Sequence, residues 1–443
     1  MEKSSPFRPW RLWQGDRDQA QVTVYWRAWV LAPLALLLLL VELVAPARVW
    51  VGLIIVLVGT VAVAAWWVWQ MVQRVKVERE LRFAWVQVGD LIEELFVVDN
   101  EAPIPVMWLE ITDHSDLPGY SASAVRAASA RRRNRWTVQG TCRLRGEYQL
   151  GPWEARTGDP FGIFLVTWSY PVAKTLLVYP PIARWKPPAL PRGAAIGQAG
   201  SMARARQPTA TVRAVREYAP GDPFHHIHWP TTARRGSLHV REFDQETGGD
   251  VWLMIDLDED VQAGIAEQST LEVGIILAAS MAAQWEDANR RVGLLTYGAH
   301  RQVVRPGQGR EHLWRILRAL ALAEPAPHQP LVQTMAEASR VLPTGSTLIL
   351  LTPSPDPRWA AALARLKRRG VASKALLLTH DENQTLRPLR SLLAQMGVES
   401  EIVSALEPLQ VTPPTGRASR WEFKVLPTGR AIAVNRPLRV PHP

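Results

Sequence analysis

Two long apolar runs near the N-terminus stand out from the pattern of hydrophobic and polar positions. The run 28–45 is interrupted only by Glu42, and the run 49–71 carries no charge. A helix needs about 20 apolar residues to cross the hydrocarbon core of a bilayer, so the second run is long enough and the first is just adequate. Because only residues 46–48 connect the two runs, we predict a transmembrane helical hairpin over 28–73.

The pattern changes to short alternating or apolar segments between residues 85 and 180. Segments of this kind, separated by turn residues, are typical of β-strands, so we predict a small antiparallel β domain. We expect its strands at 95–98, 106–111, 136–145 and 176–179. The loop 126–136 is strongly basic, and the sequence leaves two roles open for it: contact with anionic lipid or nucleic acid, or a solvated hairpin loop.

Buried strands alternate with helical patterns in the C-terminal half, within a domain that we place at 211–405. Apolar strands that alternate with helices favour a parallel, doubly wound α/β sheet. The strands are expected at 251–257, 292–297, 347–352 and 375–379, and 401–404 could close the sheet. Residues 181–210, rich in Pro, Gly, Ala and Arg, are predicted to form a linker, and 406–443 a Pro-rich tail.

The net charge of +10 is explained by the flanks of the apolar runs. Lys and Arg accumulate on the cytoplasmic side of membrane helices, so we predict that both termini and the soluble domains face the cytoplasm, including the N-terminal segment 1–27. The cations lie before the first run and after the second, and the connection carries Arg48 alone: Lys3, Arg8, Arg11, Arg17, Arg27, Arg74, Lys76, Arg79 and Arg82. Cys142 is the only cysteine, which excludes an intrachain disulfide and a cysteine-based zinc site.

The stretch 215–243, VREYAPGDPFHHIHWPTTARRGSLHVREF, is unusually dense in Arg, His and Trp. Its arginines could bind phosphate or a partner's carboxylates through bidentate hydrogen bonds, or pair internally with Glu217, Asp222 and Glu242. The histidines could chelate zinc, but packing beside Trp229 or exposure to solvent is the favoured interpretation. The residues concerned are Arg216, Arg234, Arg235, Arg241, His225, His226 and His228.

Three carboxylates follow the strand 251–257 at alternate positions: Asp256, Asp258 and Asp260. Ligand sites in doubly wound sheets form beyond the carboxyl ends of the strands, where these acids lie. They could bind a hard cation through oxygen ligands, or cap the following turn and stay solvated.

The motif in 215–243, followed by a strand that ends in Asp, resembles the bacterial DUF58 family. The resemblance extends over most of the chain from Ala28 to about Ser404 and includes the two-helix start. His225 and Pro230 stand where the family has basic residues, which puts binding of a specific anion by the motif in doubt. The matching positions are Arg216, Glu217, Tyr218, Gly221, Asp222, Ile227, Trp229, Thr232, Ala233, Arg234, Gly236, Leu238, Val240, Arg241, Glu242 and Phe243.

The resemblance implies a von Willebrand factor A-like domain, whose metal site uses Asp-x-Ser-x-Ser, a Thr from a second loop and an Asp after a later strand. Asp256 matches the first Asp, and Asp258 and Asp260 stand at the two Ser positions. The loop 328–330 lacks the Thr, and Asp356 is the nearest candidate for the later Asp. We therefore expect a degenerate Mg²⁺ site and no cofactor.

The resemblance also implies a function without catalysis: a protein of the bacterial inner membrane that assists assembly together with a MoxR-type AAA+ ATPase and other membrane or envelope proteins. Two alternatives stay open, namely Mg²⁺-dependent, adhesion-type ligand binding at Asp256 and a hydrolase using Asp256 and His228. The sequence has no Gly-x-Ser-x-Gly elbow, phosphate loop or His-Glu-x-x-His helix. Nucleic-acid binding is not expected, because the membrane spans already account for the charge.

Overall fold

A computed structural model describes residues 10–17, 20–81, 86–191, 212–219, 227–243, 249–380, 386–406, 409, 419–425 and 431–437. By its internal contacts the chain divides into two compact units. The first comprises Met1–Pro181 with Thr412–Pro443, and the second comprises Ile182–Val411.

The first unit begins with a β-hairpin, which the sequence analysis did not predict within segment 1–27. Strand β1 (Trp10–Arg17) pairs with β2 (Ala20–Trp26), and the alternation of β2 buries Ala20, Val22 and Val24. A strand with alternate apolar residues buries one face of a sheet, so this short hairpin becomes the edge of a larger β-structure.

Two helices follow the hairpin. Helix α1 (Leu31–Val44) has 14 residues and is about 21 Å long, whereas α2 (Arg48–Arg74) has 27 residues and is about 40 Å long. Among the described residues, α2 is the one helix long and apolar enough to cross a membrane. The predicted pair of spanning helices is therefore supported for the second alone. Helix α1 starts late because the amides of Arg27 and Ala28 bond to the Ile163 carbonyl, continuing the sheet instead.

The antiparallel β structure that the sequence predicts is present in the first unit, in three sheets that also contain strands before residue 85. A six-stranded sheet has the order β1-β2-β11-β10-β6-β7, a three-stranded sheet has the order β3-β5-β8, and a third has the order β4-β12-β9, in which β4 and β12 are parallel. The strands are β3 (Val75–Leu81), β4 (Val86–Gln87), β5 (Leu91–Asn100), β6 (Val106–Asp113), β7 (Ala124–Ala128), β8 (Arg132–Thr141), β9 (Gly146–Leu150), β10 (Trp153–Gly158), β11 (Phe164–Tyr170) and β12 (Lys174–Tyr179).

The last turns of α2 belong to the core of this β domain. Ala64, Val68, Met71 and Val72 are buried in the same cluster as the strand residues, and α2 contacts β3, β5 and β11. The apolar run therefore serves two purposes, since its first part faces outward and its last part anchors the strands.

The second unit contains the predicted α/β sheet. Its order is β17-β16-β15-β18-β19-β20, with every neighbouring pair parallel except the edge pair β16–β17. The sheet is thus mixed, and the antiparallel edge strand at 301–307 was not predicted. The elements are β13 (Val212–Glu217), α3 (Trp229–Arg235), β14 (His239–Phe243), β15 (Val251–Asp256), α4 (Thr270–Asp287), β16 (Val292–Tyr297), β17 (Arg301–Gly307), α5 (Arg310–Ala321), α6 (Leu331–Val341), β18 (Thr347–Thr352), α7 (Ala360–Arg368), β19 (Ala372–Thr379), α8 (Arg387–Gln395) and β20 (Glu399–Ser404).

Strand β15 lies at the point where the strand order reverses. In chain order the sheet reads 3-2-1-4-5-6, so the connections leave β15 and β18 in opposite directions. Crevices form at the carboxyl ends of strands at such a point, which puts Asp256 at the natural position for a site.

Two segments that were predicted as irregular contain ordered structure. In the predicted linker 181–210, the amide of Ala183 donates to Ser280 Oγ over 2.8 Å, and Lys374 Nζ donates to the carbonyl of Ala189 over 3.3 Å, so this part packs on α4 and β19. In the predicted tail 406–443, β21 (Ser419–Val425) pairs antiparallel with β22 (Ala431–Pro437).

Candidate functional site at the carboxyl end of the sheet

Asp256 is the last residue of β15 and is only 4% exposed. Its Oδ2 accepts a hydrogen bond from the Thr352 hydroxyl at the end of the neighbouring β18, over 2.6 Å, and its Oδ1 accepts one from the Asp258 amide, over 3.3 Å. Burial raises the pKa of Asp256 to about 6, although these two hydrogen bonds act in the opposite direction. The group is therefore a carboxyl that titrates near neutral pH.

Asp258 organises the turn that follows the strand. Its Oδ1 accepts from the amide of Asp260 over 3.4 Å, which caps a short 3₁₀-helix at Glu259–Val261, and from the amide of Gln329 over 3.3 Å. An aspartate that accepts from the amide two residues on satisfies the first unpaired N–H groups of a helix. Asp258 is buried and joins the loop after β15 to the loop before α6.

Gln262 links these two acids to the start of α4. Its Nε2 donates to the carbonyls of Asp256, over 3.0 Å, and Asp258, over 3.2 Å, while its Oε1 accepts from the buried Thr270 hydroxyl over 2.8 Å. The sequence analysis missed both Gln262 and Thr352. Their polar side chains near the ends of predicted elements were the available signal, but the partner of Thr352 depends on strand register and the partners of Gln262 on the path of the loop.

Asp260 lies on the surface and faces His328 instead of Asp256. Its Oδ2 accepts from His328 Nδ1 over 2.8 Å and from the His328 amide over 3.2 Å. The side-chain hydrogen bond from His328 lowers the pKa of Asp260 below its usual value. This exposed acid–imidazole pair is one of the polar groups that the described carboxyl edge presents to solvent.

Asp356 is also directed away from Asp256. It caps the 3₁₀-helix Pro357–Trp359 by accepting from the Arg358 amide over 3.0 Å, and it forms an ion pair with Arg358 NH2 over 2.7 Å. The hydrogen bonds from Arg358 lower the pKa of Asp356. Of the four acids named from the sequence, Asp260 and Asp356 thus each have a local partner of their own.

The residues present do not fit a dedicated Mg²⁺ site. Octahedral Mg²⁺ needs several convergent oxygen ligands, and here the Asp256 oxygens are already occupied by a hydroxyl and an amide. Within the described part of the chain, no group of three or more His, Cys, Asp or Glu side chains is placed to hold a metal ion. No chemical step is assigned to a metal here.

The family motif forms a two-stranded antiparallel sheet with a helix between its strands. β13 pairs with β14 so that Arg216 faces Val240 and Glu217 faces His239. Arg241, Glu242 and Phe243 lie on β14, but their side chains, like that of Arg216, lie outside the described residues. Gly221, Asp222, His225 and His226 also lie outside them.

Helix α3 presents part of the motif to solvent. Trp229 is 64% exposed at its first position, and Arg234 is exposed in its last turn. His228 Nδ1 lies 2.7 Å from the Thr231 hydroxyl, and the His239 amide donates to the Thr232 hydroxyl over 3.0 Å. His228 thus has a local hydrogen-bonding role at the start of the helix, which does not require a metal. Tyr218 continues the ladder, since its amide donates to the Leu238 carbonyl over 2.8 Å.

Comparison with known proteins identifies a matching family model and several relatives. Residues 214–387 match the family model described as "Protein of unknown function DUF58". The Bacillus subtilis protein YeaD is 25% identical over 252 residues, covering 55% of this chain and 61% of YeaD. The Mycobacterium tuberculosis protein Rv1480 is 29% identical over 113 residues, covering 25% of this chain and 36% of Rv1480. The matches span less than two thirds of either relative, and both relatives are described as uncharacterized.

Solved structures resemble the chain only distantly. Proximal thread matrix protein 1 from the mussel byssus has a TM-score of 0.25 at 12% identity, covering 35% of this chain and 41% of that protein. A von Willebrand factor type A structure from Catenulispora acidiphila has a TM-score of 0.24 at 12% identity, covering 35% and 38%. The strand order given above rests on the register of this chain alone.

Proposed function

From the match of residues 214–387 to the DUF58 family model, we propose that the chain is a membrane-anchored, non-catalytic interaction protein that works with a MoxR-type AAA+ ATPase. In this proposal α2 holds the protein in the inner membrane, with the soluble units in the cytoplasm. The α/β unit, taken as von Willebrand factor A-like, presents its carboxyl edge to the ATPase.

The observation that carries the proposal is how Asp256 is held. A catalytic carboxylate needs access to a substrate and a partner group positioned for proton transfer. Asp256 is nearly inaccessible, and Thr352 and Asp258 occupy its two oxygens. Such an arrangement stabilises the loops of the edge, which supports a structural role for Asp256 and leaves Asp260 and His328 as the groups that a partner can contact.

Site-specific photo-crosslinking in native membranes tests this function. A photoreactive residue in place of His328 at the carboxyl edge should capture an AAA+ ATPase, identified by mass spectrometry. The matched control is Thr344, which is exposed before β18 at the opposite, amino edge and should not capture it. Recovery of the ATPase at both positions, or at neither, would contradict docking at the carboxyl edge.

A hydrolase makes a different prediction for Asp256. In the proposed function, Asp256→Ala weakens crosslinking at residue 328 or the folding of the unit, because the loops lose the acceptor for Thr352 and Asp258. In this proposal the Asp256→Ala substitution abolishes no enzymatic activity. A robust hydrolytic activity in the purified full chain that disappears in Asp256→Ala would overturn the non-catalytic proposal.

Metal-dependent ligand binding at Asp256 is the alternative, although the Thr352 hydroxyl and the Asp258 amide already occupy the two Asp256 oxygens. Mg²⁺ would have to displace these hydrogen bonds to bind there. We expect the protein purified in Mg²⁺-containing buffer to hold no stoichiometric metal after desalting. Elemental analysis that finds one Mg²⁺ per chain, absent from Asp256→Ala, would instead favour this candidate.

A further inference from the structure

The β domain has one end at which both helices of the predicted hairpin join it. Strand β2 leads into α1 at Trp26, and β3 receives the chain from α2 at Val75. The pairing of neighbouring strands shows which other loops lie at this end, because it places the other strand ends relative to Trp26 and Val75.

The pairing can be followed first across the six-stranded sheet. Trp26 pairs with Phe164 at the start of β11, and Gly158 at the end of β10 pairs with Leu165. Farther across, β6 runs with its start at this end, and its Val106 pairs with Ala128 at the end of β7. The chain therefore leaves β7 at the end of the sheet from which it enters α1.

The pairing within the three-stranded sheet β3-β5-β8 gives a second, independent route. Val75 pairs with Asn100, and Asn100 pairs with Arg132 at the start of β8. The Glu101 amide donates to the Arg74 carbonyl over 3.0 Å, which fixes the end of β5 against the end of α2. The β7–β8 turn thus lies at the helix-bearing end by both routes.

This turn carries five exposed arginines, which we call the basic turn: Arg126, Arg131, Arg132, Arg133 and Arg135. Arg133 is 3.9 Å from carboxylate oxygens of Glu78 and Asp99, at the limit of an ion pair. Within the described part of the chain, the guanidinium groups of Arg131, Arg132 and Arg135 form no ion pair.

The backbone of the turn does not explain its sequence. Arg131 has φ 51°, a left-handed conformation that Gly or Asn adopts at lower cost. Its amide donates to the Ala102 carbonyl over 3.1 Å, so the conformation is fixed by the fold. An arginine at this position contributes a charge that the turn itself does not need.

An apolar side chain lies at the same end of the domain. The loop between β10 and β11 presents Phe161, which is 55% exposed. Asp159 holds this loop, because its carboxylate accepts from the amides of Phe161, over 2.8 Å, and Phe164, over 2.6 Å. Arginines and an exposed aromatic ring at the same end of a domain suit an interface in which anionic headgroups lie over apolar chains.

We propose that the basic turn, together with Phe161, binds anionic lipid headgroups and holds the β domain against the cytoplasmic face of the membrane. The inference rests on the membrane anchoring in the proposed function but not on the ATPase. Its basis is charge complementarity and continuity with the helices: a cytoplasmic leaflet is negatively charged, and the attraction falls off within a Debye length, about 10 Å. The basic turn reaches that layer because α1 and α2 join the same end.

Fluorescence quenching in nanodiscs tests the proposal with the full chain. Ser129→Cys takes a fluorescent maleimide beside the turn, while Cys142 is fully buried and burial raises its thiol pKa to about 12, so it stays unlabelled. Lipids with a headgroup-attached nitroxide are included in discs of phosphatidylcholine alone or with about 30% phosphatidylglycerol. We expect stronger quenching in the anionic discs, reversed when salt rises from about 0.05 to 0.5 M.

Paired substitutions localise the effect. Arg131→Gln with Arg132→Gln should lower the docking equilibrium constant in anionic discs by about 25-fold, about fivefold for each arginine. The matched control is Arg143→Gln with Lys174→Gln, which removes two exposed charges from the opposite ends of their strands and should change nothing.

Equal quenching in both kinds of disc, or an equal loss in the control pair, would overturn the lipid proposal. Duplex DNA that displaces the label from anionic discs at equal phosphate concentration would overturn it in favour of a nucleic-acid surface. Failure of the chain to enter discs at all would remove the anchored function as well. Entry without lipid-dependent quenching removes this inference alone.

Discussion

At the residue scale, Asp256 makes stability depend on pH. Burial raises its folded-state pKa to about 6, above an unfolded value of about 3.9. The folded protein then holds more protons between about pH 4 and pH 6, so the free energy of unfolding falls as pH rises through this window, by up to about 3 kcal/mol. We predict that Asp256→Asn, which is neutral at every pH, removes this fall.

Thermal unfolding of the detergent-solubilised chain from pH 4 to pH 7.5 measures the effect, as the difference between wild type and variant at each pH. Glu267→Gln serves as a control, since it replaces an exposed acid in the same unit. A wild-type midpoint that follows the Asp256→Asn midpoint at constant separation across this range would contradict a raised pKa.

Arg79 is a second residue whose surroundings decide its effect. It is buried between two carboxylates, with NH2 2.7 Å from Glu94 Oε2 and NH1 2.8 Å from Asp113 Oδ1. Removing one member of a buried ion-pair network leaves uncompensated charge, so Arg79→Met should destabilise the β domain by about 3–5 kcal/mol. Arg133→Met removes an exposed guanidinium with distant partners and should change stability by less than about 1 kcal/mol.

Thermal melting compares the stability of these two variants with that of the wild type. Equal losses of stability would contradict the burial of Arg79 between two carboxylates. The same contact corrects the sequence argument, which counted Arg79 among the cytoplasmic cations flanking the spans. Its charge is neutralised inside the protein, whereas Arg74 and Lys76 of the same flank are exposed.

The residues of the strand-end site show what a sequence can predict. Asp256 was identified because an apolar run that ends in an acid can be recognised from the sequence alone. Thr352 was not, since its hydrogen bond across 96 residues is fixed by the register of β15 against β18, and Gln262 was not, since its contacts depend on the path of the loop between β15 and α4. For Asp356, nearness in sequence to a strand end did not predict the ion pair that its carboxylate forms with Arg358.

At the scale of elements, strong periodicity predicted the helices and buried strands of the α/β unit well. The predictions failed for elements whose sequence pattern is set by their place in the tertiary structure. β17 alternates between exposed and partly buried positions because it is the edge strand, and β1 and β2 are short strands with mixed side chains that gain stability only beside β11. Helix α1 is shorter than its apolar run because residues 27 and 28 are held by the Ile163 carbonyl.

The two parts of α2 should respond differently to the same substitution. Val68 is buried in the β-domain core, whereas Val58 is exposed on the apolar surface of the helix. We predict that Val68→Ala destabilises the first unit by about 2 kcal/mol through lost burial and a cavity, and that Val58→Ala has little effect. Thermal melting in detergent compares the matched pair, and equal losses would contradict the packing of α2 into the β domain.

At the scale of the whole molecule, the pairing of β2 with β11 constrains the path through the membrane. These strands lie before α1 and after α2 and share one sheet, so both must be on the same side. The chain therefore crosses an even number of times between them. If α2 spans, α1 must cross too, although its helical part measures only about 21 Å against a hydrocarbon thickness of about 30 Å.

Cysteine accessibility in intact cells tests whether the chain crosses the membrane an even number of times. Cys142 is buried and is not expected to react. A cysteine at Ala45, between the helices, should react with a membrane-impermeant maleimide added outside. One at Ser129, in the β domain, should react only after permeabilisation, since positive flanks favour the cytoplasm. The short α1 can satisfy the crossing through its flanking residues and local thinning of the bilayer. Labelling of 129 alone from outside would mean that the hairpin has the reverse orientation, and labelling of both positions from outside would exclude a hairpin in which both helices cross the membrane.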